Sequence, residues 1–298
     1  MFPKAPDYHK PNKPMVPNGL GVIYVLISAA YLFLLEYFRP LEIEGPHNVS
    51  PALTLAICIL FGGFMGLLDD WMDLRWRYKA FFPLIASVPL ITLAMRLGLR
   101  TSIMIPFLGT LSFGVSYYFI IIPLIVTVTT NTVNQLGGLN GLETIPPAIV
   151  LIGLMFQDVI FHSASESKAT LLYIPLIVWL ILAFFNFRGK IFVGNTGSFA
   201  IGMTLAAYAI ISDLKLGLLI SILPYIFNSS LILLTYFLFR AKANVNFDGK
   251  RLFSDHRRSL VTLITFHRPM TERQIVSIIS VLMGISAFVA IIVQFLSS

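Results

Sequence analysis

Long apolar segments separated by short polar loops are the feature that most restricts how this chain can fold. About 20 apolar residues are needed to cross a bilayer core roughly 30 Å thick as a helix. Nine runs of about that length lie near residues 19–38, 51–68, 80–97, 115–130, 144–161, 169–187, 198–212, 216–239 and 274–296. The sequence therefore predicts an all-α, polytopic transmembrane helical bundle of about nine spans, with residues 1–298 forming a single domain.

The composition supports this class of protein. Hydrophobic residues make up 57% of the chain and charged residues only 12%, which is far more apolar than a soluble domain. The runs lack the alternating polar face of an outer-membrane strand, so helices are expected and not a β-barrel. The single cysteine, Cys58, lies within an apolar run, which excludes an intrachain disulfide and a cysteine-rich metal site.

The positive charges predict the orientation in the membrane. If the N-terminus is cytoplasmic, 16 of the 21 Lys and Arg residues fall in the loops on that side. The positive-inside rule then places the N-terminus inside and the C-terminus outside. The polar motifs also lie in these inner loops, whereas the outer loops near 39–50 and 162–168 have ordinary polarity and no predicted catalytic role.

The loop "GLLDDWMDLRWRYK" joins paired carboxylates to basic residues. Asp69 and Asp70 lie at the end of an apolar run, and Lys79 follows after two arginines. Carboxylates in such a cluster can hold a divalent cation or act as a base, while basic neighbours receive phosphate oxygens. A solvated helix at the membrane edge with local ion pairs is the alternative.

The next inner loop, "TNTVNQLGGLNGLE", is rich in amides and glycine. Asn131 and Asn134 share a helix face, and Asn140 and Glu143 follow within the glycine-containing turn. Amide oxygens can ligate a hard cation, and amide nitrogens can read a nucleobase edge. Helix capping and a turn would be the simpler role for the same residues.

Two further loops carry polar signals that are weak by themselves. In "FVGNTGS", the residues around Asn195 form a small-residue turn before a helix, which suits either a phosphate or an N-cap. In the longest hydrophilic stretch, "NFDGKRLFSDHRRSLV", His256, Arg257 and Arg258 are candidates for contacting a sugar or its pyrophosphate. Positive-inside anchors are the alternative role for these residues.

Taken together and in this order, these loops resemble the polyprenyl-phosphate N-acetylhexosamine-1-phosphate transferases. The form of the Asp-Asp motif is closer to the eukaryotic and archaeal dolichyl-phosphate GlcNAc-1-phosphate transferases than to the bacterial phospho-MurNAc-pentapeptide translocase. The N-terminal "PDYHKPNKPMVPNGLG" is similar to the family's Asp-x-x-Lys loop, here Asp7 and Lys10. The resemblance extends over residues 5–260.

The resemblance implies transfer of a sugar 1-phosphate from a UDP-sugar to a membrane polyprenyl phosphate, with Mg²⁺, or Mn²⁺ in its place, as cofactor. It implies a cytoplasmic active site in a prokaryotic plasma membrane or the endoplasmic reticulum, tunicamycin sensitivity, no nucleic-acid partner and a homodimer as one option. The implied roles are Asp69, Asp70 and Lys79 in catalysis, Asn134 and Asn195 at the metal, and Lys10, Asn131, Asn140, Glu143, His256, Arg257 and Arg258 in substrate binding.

The sequence departs from the family pattern in three places. Asn195 stands where most relatives have aspartate, so we expect weaker Mg²⁺ binding or compensation by Asp69 or Asp70. Asp255 replaces the first arginine of an Arg-His-Arg string, and Arg258 or Arg251 is the candidate substitute. The family also places one more span before the Asp-x-x-Lys loop than this sequence does.

Two other functions fit the same spans. A transporter or flippase of lipid-linked sugars needs polar groups along a path through the membrane, and the apolar runs show none. A catalytically silent scaffold is consistent with Asn195, but not with intact Asp69, Asp70, Lys79, Asn131 and Asn134. We therefore expect a transferase acting on UDP-GlcNAc, with another UDP-N-acetylhexosamine as the alternative donor.

Overall fold

The protein is a bundle of helices with three small hairpins. A computed structural model describes residues 2–38, 50–105, 109–163 and 167–297, so most of the outer loop near 39–50 and part of that near 162–168 lie outside the described residues. Its α-helices are α1 (Gly21–Phe38), α2 (Pro51–Met72), α3 (Trp76–Ala86), α4 (Val88–Arg96), α5 (Ile122–Gln135), α6 (Ile145–Phe161), α7 (Tyr173–Phe187), α8 (Gly194–Ile211), α9 (Lys215–Ser221), α10 (Leu223–Phe239), α11 (Leu260–Ile264) and α12 (Glu272–Ser297).

The all-α, membrane-spanning class is confirmed, but the count of nine spans is not. Each of the nine apolar runs forms a helix or a pair of helices. Within the described residues, six helical segments are long and apolar enough to cross a membrane, and a seventh is added if α9 and α10 form one span. The six are Gly21–Phe38, Pro51–Met72, Trp76–Arg96, Tyr117–Gln135, Ala169–Phe187 and Glu272–Leu296.

The two remaining runs are not counted as membrane spans, and the reasons differ. Helix α6 is apolar but only 17 residues long. Helix α8 begins with the polar string Gly194–Ser198, and every residue from Thr196 to Ile211 is buried inside the protein. A helix surrounded by other helices need not match the bilayer thickness, since its neighbours and not lipid provide its environment.

Helices α9 and α10 were expected as one span, but they are bent by 57°. The break lies at Ile222, and Pro224 occupies the first turn of α10. Proline has no N–H to donate and its ring clashes with the preceding turn, so a helix bends or restarts at this point.

Helix α8 is the centre of the bundle, and α1, α2 and α5 pack around it. The buried hydroxyl groups of Tyr24 on α1 and Thr204 on α8 are hydrogen-bonded at 2.7 Å. Such a bond satisfies two polar groups that would otherwise be stranded in an apolar interior. The bond fastens the middle of α8 to α1.

Three antiparallel hairpins were not predicted from the sequence. They pair β1 (Lys4–Pro6) with β2 (Met15–Pro17), β3 (Ser102–Ile105) with β4 (Gly109–Ser112), and β5 (Asn246–Phe247) with β6 (Leu252–Phe253). Isolated hairpins of this size are marginal alone and depend on what they pack against. The first is joined to the segment before α8 by a bond from the Phe192 amide to the Pro17 carbonyl, 2.8 Å long.

Candidate active site

The crossing of α2 and α8 brings the Asp-Asp motif to the start of α8. Gly66 lies at the contact, where an added Cβ would stand 2.2 Å from the Asn195 carbonyl oxygen. Only glycine allows the two backbones to approach this closely. One turn further along α2, Asp70 therefore reaches the N-terminus of α8.

Asp70 caps α8 across the tertiary contact. Its Oδ1 accepts a 2.9 Å bond from the Asn195 amide, and its Oδ2 accepts from the amide and hydroxyl of Thr196 at 2.9 and 2.8 Å. A carboxylate is stabilised here because the free amides of a helix N-terminus carry partial positive charge. The sequence left two roles open for this turn, binding of a phosphate and helix capping. In the structure, the amides of Asn195 and Thr196 bind Asp70.

Gly194 makes this arrangement possible. Its φ is +71°, a left-handed conformation that disfavours other residues, and an added Cβ would stand 2.8 Å from Asp70 Oδ2. Backbone conformation and close approach thus both require glycine at this position.

The two predicted metal residues are in direct contact. Asn134, at the end of α5, donates from Nδ2 to Asn195 Oδ1 at 2.8 Å and to Ser198 Oγ at 2.7 Å. Motifs separated by 61 residues therefore meet beside Asp70. Ser198 was not predicted as a site residue, although its position one turn after Asn195 was a usable signal.

Glu143 approaches the same place from the glycine loop. Its Oε1 accepts a 3.1 Å bond from the Gly138 amide, whereas its buried Oε2 has no hydrogen-bond partner among the described residues. Burial raises the pKa of the Glu143 carboxyl above its ordinary value, and the negative charge of Asp70 adds to the effect. An uncompensated carboxylate oxygen in such a place is suited to a cation or a ligand hydrogen.

These groups line one cavity of about 270 Å³. Its wall contains four residues that were predicted as site residues: Asp70, Asn134, Glu143 and Asn195. Several other lining residues were not predicted and come from the N-terminal segment, the segment entering α8 and α8 itself: Tyr8, His9, Asn18, Phe192 and Ser198. Tyr8 and His9 lie between the two quoted residues of the Asp-x-x-Lys string, which was the available signal.

Asp69 and Lys79 form an ion pair beside the cavity but not in its wall. Lys79 Nζ lies 2.8 Å from Asp69 Oδ2, and the Asp69 side chain is fully buried. Asn131 donates from Nδ2 to the Lys79 carbonyl at 3.1 Å and to the Thr127 carbonyl at 2.9 Å. Asn131 therefore fastens α3 to α5, which positions the basic part of the motif.

Asn140 and Lys10 meet at Asp7, on the rim of the cavity. Asn140 Nδ2 donates to Asp7 Oδ2 at 2.8 Å, and Lys10 Nζ lies 3.0 Å from the same oxygen. The Asn140 amide nitrogen is thus engaged by protein, while its buried Oδ1 has no partner among the described residues. That oxygen is the part of Asn140 left for a ligand.

The His-Arg segment lies apart from these groups. His256, Arg257 and Arg258 do not line the cavity. The Arg257 guanidinium stacks 4.1 Å from the centre of the Phe266 ring, and Arg258 Nη1 donates to the Lys242 carbonyl at 3.1 Å. The predicted roles of these three residues remain predictions.

The architecture and the site define a polytopic membrane protein with its polar chemistry gathered at one end of a central helix. Residues 52–213, more than half of the chain, match the family described as glycosyl transferase family 4. The chain belongs to this family.

Among its relatives is a Saccharolobus solfataricus protein, provisionally named a UDP-N-acetylglucosamine–dolichyl-phosphate N-acetylglucosaminephosphotransferase. It is 33% identical over 97% of this chain and 87% of its own length. The Schizosaccharomyces pombe protein of that name is 26% identical over 76% of this chain, and that match spans only 59% of the yeast protein. A Bacillus cytotoxicus phospho-N-acetylmuramoyl-pentapeptide-transferase is 29% identical over 75% of this chain and 68% of its own length.

Proposed function

We propose that this protein transfers N-acetylglucosamine 1-phosphate from UDP-GlcNAc to dolichyl phosphate or a related polyprenyl phosphate, releasing UMP. The observation that carries the proposal is the meeting of Asp70, Asn134, Glu143 and Asn195 around one cavity. They come from three separate motifs, in a chain that belongs to glycosyl transferase family 4. The names of the archaeal and yeast relatives support the choice of both substrates.

The reaction requires that negative charge be stabilised on two phosphate groups, that of the lipid and that of the leaving UMP. An oxygen of the lipid phosphate attacks the β-phosphorus of the UDP-sugar, the pyrophosphate bond breaks, and UMP leaves with the electron pair. Charge gathers on the attacking and leaving groups, so catalysis rests on positioning and on electrostatic stabilisation. A cavity with fixed polar walls at the end of a membrane bundle suits a reaction between a soluble nucleotide and a lipid.

Mg²⁺ fits the donors at this site. The side-chain oxygens of Asn134 and Asn195, the Asp70 carboxylate and the unpartnered Oε2 of Glu143 are all hard oxygen donors. Such donors suit Mg²⁺ and Mn²⁺. When bound, the ion would supply positive charge that offsets the negative charge of the pyrophosphate. We assign Asn134 and Asn195 to holding it.

The other residues divide between the phosphates and the nucleotide. Lys79, oriented by Asp69 and Asn131, supplies positive charge next to the Asp-Asp motif for the lipid phosphate. Lys10 and Asn140 both contact Asp7, which lines the cavity, and we assign them to the nucleotide base. These assignments extend the roles that the motif resemblance implies.

We assign His256, Arg257 and Arg258 to the sugar and pyrophosphate. The exposed Arg257 guanidinium keeps its planar donors available while Phe266 supports one face. Guanidinium groups bind phosphate oxygens through two donors at once. This contact requires either that the His-Arg segment moves to the cavity or that the bound substrate extends from the cavity to Arg257.

The protein is an integral membrane protein, and we propose that the cavity faces the cytoplasm. The support is the distribution of positive charge, since 16 of the 21 Lys and Arg residues fall on the side that carries the site motifs. In an archaeal cell this would be the plasma membrane, and in a eukaryote the endoplasmic reticulum. A homodimer stays a prediction.

The test is transfer of radiolabel from UDP-GlcNAc into organic-extractable lipid by purified protein with dolichyl phosphate. We expect a product that requires Mg²⁺ and is blocked by tunicamycin. Product from UDP-GalNAc or another donor alone would support the reaction and change the sugar. The absence of lipid product from all of these donors, with polyprenyl phosphates of several lengths, would favour a silent scaffold and overturn the proposal.

A further inference from the structure

A second group of metal-type ligands lies at the rim of the cavity. Asp7, His9 and Glu272 each place one ligand atom so that all three atoms lie within 4.8 Å of one another. Asp7 and His9 follow β1 in the N-terminal hairpin, whereas Glu272 begins α12 at the far end of the sequence. None of these three residues belongs to the Mg²⁺ donor set assigned above.

The charges at this point are unequal. Asp7 is only 2% exposed, and Lys10 Nζ lies 3.0 Å from its Oδ2. Glu272 Oε1 accepts from the backbone amide and Nδ2 of Asn140, at 2.6 and 3.0 Å, and both donors are neutral. Two carboxylates thus face one ammonium group in a partly buried place, where unpaired negative charge is costly.

The side chain of Asn140 lies against both carboxylates and has one polar atom without a partner among the described residues. Its Nδ2 lies between the two carboxylates, 2.8 Å from Asp7 Oδ2 and 3.0 Å from Glu272 Oε1. Its Oδ1 is buried without a partner among the described residues, although the whole residue is only 3% exposed. A half-turn of the amide exchanges the two atoms and directs the oxygen at the space between the carboxylates, where it would ligate a cation.

We propose that Asp7, His9 and Glu272 form a second divalent-cation site, with Asn140 Oδ1 as a fourth donor. One imidazole with two carboxylates and an amide favours a transition metal of the Zn²⁺, Co²⁺ or Mn²⁺ type over Mg²⁺. The bound ion would tie the N-terminal hairpin to α12 and to the glycine loop. It would thereby fix the wall of the cavity that Tyr8 and His9 line.

The experiment is a metal titration of the full chain, purified in detergent with a tag that contains no histidine and stripped with chelator. Co²⁺ is the probe, followed by its visible absorption and by metal analysis after gel filtration. We expect one tightly held equivalent in the wild type. His9→Ala and Glu272→Gln should each bind Co²⁺ about tenfold or more weakly, whereas His267→Ala, which changes a histidine outside the cluster, should bind it normally.

Metal content is read without substrate, so the result is independent of the transferase proposal. Asn134→Ala, which alters the Mg²⁺ donors, should leave Co²⁺ binding unchanged. Each variant is first checked for a single gel-filtration peak, and His9→Gln replaces His9→Ala if the latter does not fold. A wild type that holds no Co²⁺ at micromolar free metal, or equal binding by wild type, His9→Ala and Glu272→Gln, would overturn the proposal.

Discussion

Two regions carry the predicted chemistry, and they are held in different ways. In the cavity cluster, defined as Asp70, Asn134, Glu143 and Asn195, the contacts join distant segments, since Asp70 binds the amides of α8 and Asn134 on α5 binds Asn195. In the His-Arg segment, residues 256–258, the side-chain contacts stay within the same stretch of chain, since Arg257 stacks on Phe266 and Arg258 donates to the Lys242 carbonyl. Tertiary contacts hold the cavity cluster in place, whereas the His-Arg segment is held mainly by contacts within its own stretch of chain.

This difference predicts different kinetic roles. Groups that are already in place can stabilise charge as it develops in the transition state, because they need no reorganisation at that moment. Exposed guanidinium groups with local contacts contribute mainly to holding the substrate. Substitutions in the cavity cluster should therefore lower kcat, and those in the His-Arg segment should raise KM.

The largest effect is expected for Asp70→Asn. The change removes the negative charge at the cavity and replaces an acceptor of three hydrogen bonds by an amide. Turnover should fall about a thousandfold or more, measured as lipid product under saturating substrates. Asp73→Asn is the matched control, since Asp73 is exposed and does not line the cavity; similar activity of the two variants would contradict the role of Asp70.

A pair of glycine substitutions separates the effect of backbone strain from that of displacing the Asp70 carboxylate. Gly194 and Gly249 both have positive φ, at +71° and +95°, but only Gly194 would push a Cβ against Asp70. Both alanine variants should lose about 1–2 kcal/mol of stability. Gly194→Ala should also lose about a hundredfold in kcat through displacement of the carboxylate, whereas Gly249→Ala should keep its kcat. Equal kcat values would show that the cap does not position the site.

Asn195→Asp tests the metal assignment. A carboxylate binds Mg²⁺ more strongly than an amide oxygen does, so the Mg²⁺ concentration for half-maximal activity should fall about tenfold. The neighbouring Ser198→Ala, which removes a hydroxyl bonded to Asn134 without adding charge, serves as control. Complete loss of activity in Asn195→Asp would count against this residue as a ligand.

Arg257→Ala should act on binding. Loss of one exposed guanidinium is expected to raise the KM for UDP-GlcNAc about fivefold, corresponding to about 1 kcal/mol, with kcat nearly unchanged. Arg268→Ala removes an exposed arginine from the same stretch of chain and should leave both constants alone. A large fall in kcat for Arg257→Ala would place this residue with the cavity cluster instead.

The smallest effect concerns Glu143 and pH. Its raised pKa means that the folded protein holds this proton more tightly than the unfolded chain does. The resulting stability is present below the ordinary glutamate range and is lost as pH rises through the folded pKa. Glu143→Gln should remove this loss, which is read from melting temperatures of the two proteins across a pH series. Parallel curves would indicate that the carboxyl is not perturbed.

The sequence was sufficient for the parts of the molecule that depend on composition and local pattern. Apolar length predicted the helices, and the resemblance of the polar motifs to one family implied that Asp70, Asn134 and Asn195 serve one site. The structure places these three together because Gly66 lets α2 approach the start of α8. The number of spans could not be obtained this way, since an apolar run such as α8 can be enclosed by protein instead of lipid.

The remaining features of the site depend on tertiary contacts that no local sequence pattern predicts. The carboxylate of Asp70 binds the amides of α8, and that of Asp69 pairs with Lys79; no local pattern distinguishes these two adjacent aspartates. The contact between Glu272 and Asn140 joins positions 132 residues apart. The small hairpins were missed because strands of two to four residues give too short an alternation to detect.

The most direct test of the account is to find where the nucleotide-sugar binds. A photoreactive azido-UDP-GlcNAc would be crosslinked to the purified protein with Mg²⁺, and the adducts would be mapped by mass spectrometry with and without excess UDP-GlcNAc. The account predicts competed adducts in the segments that line the cavity, residues 5–9, 138–143 and 192–198. Competed adducts confined to other parts of the chain would contradict it.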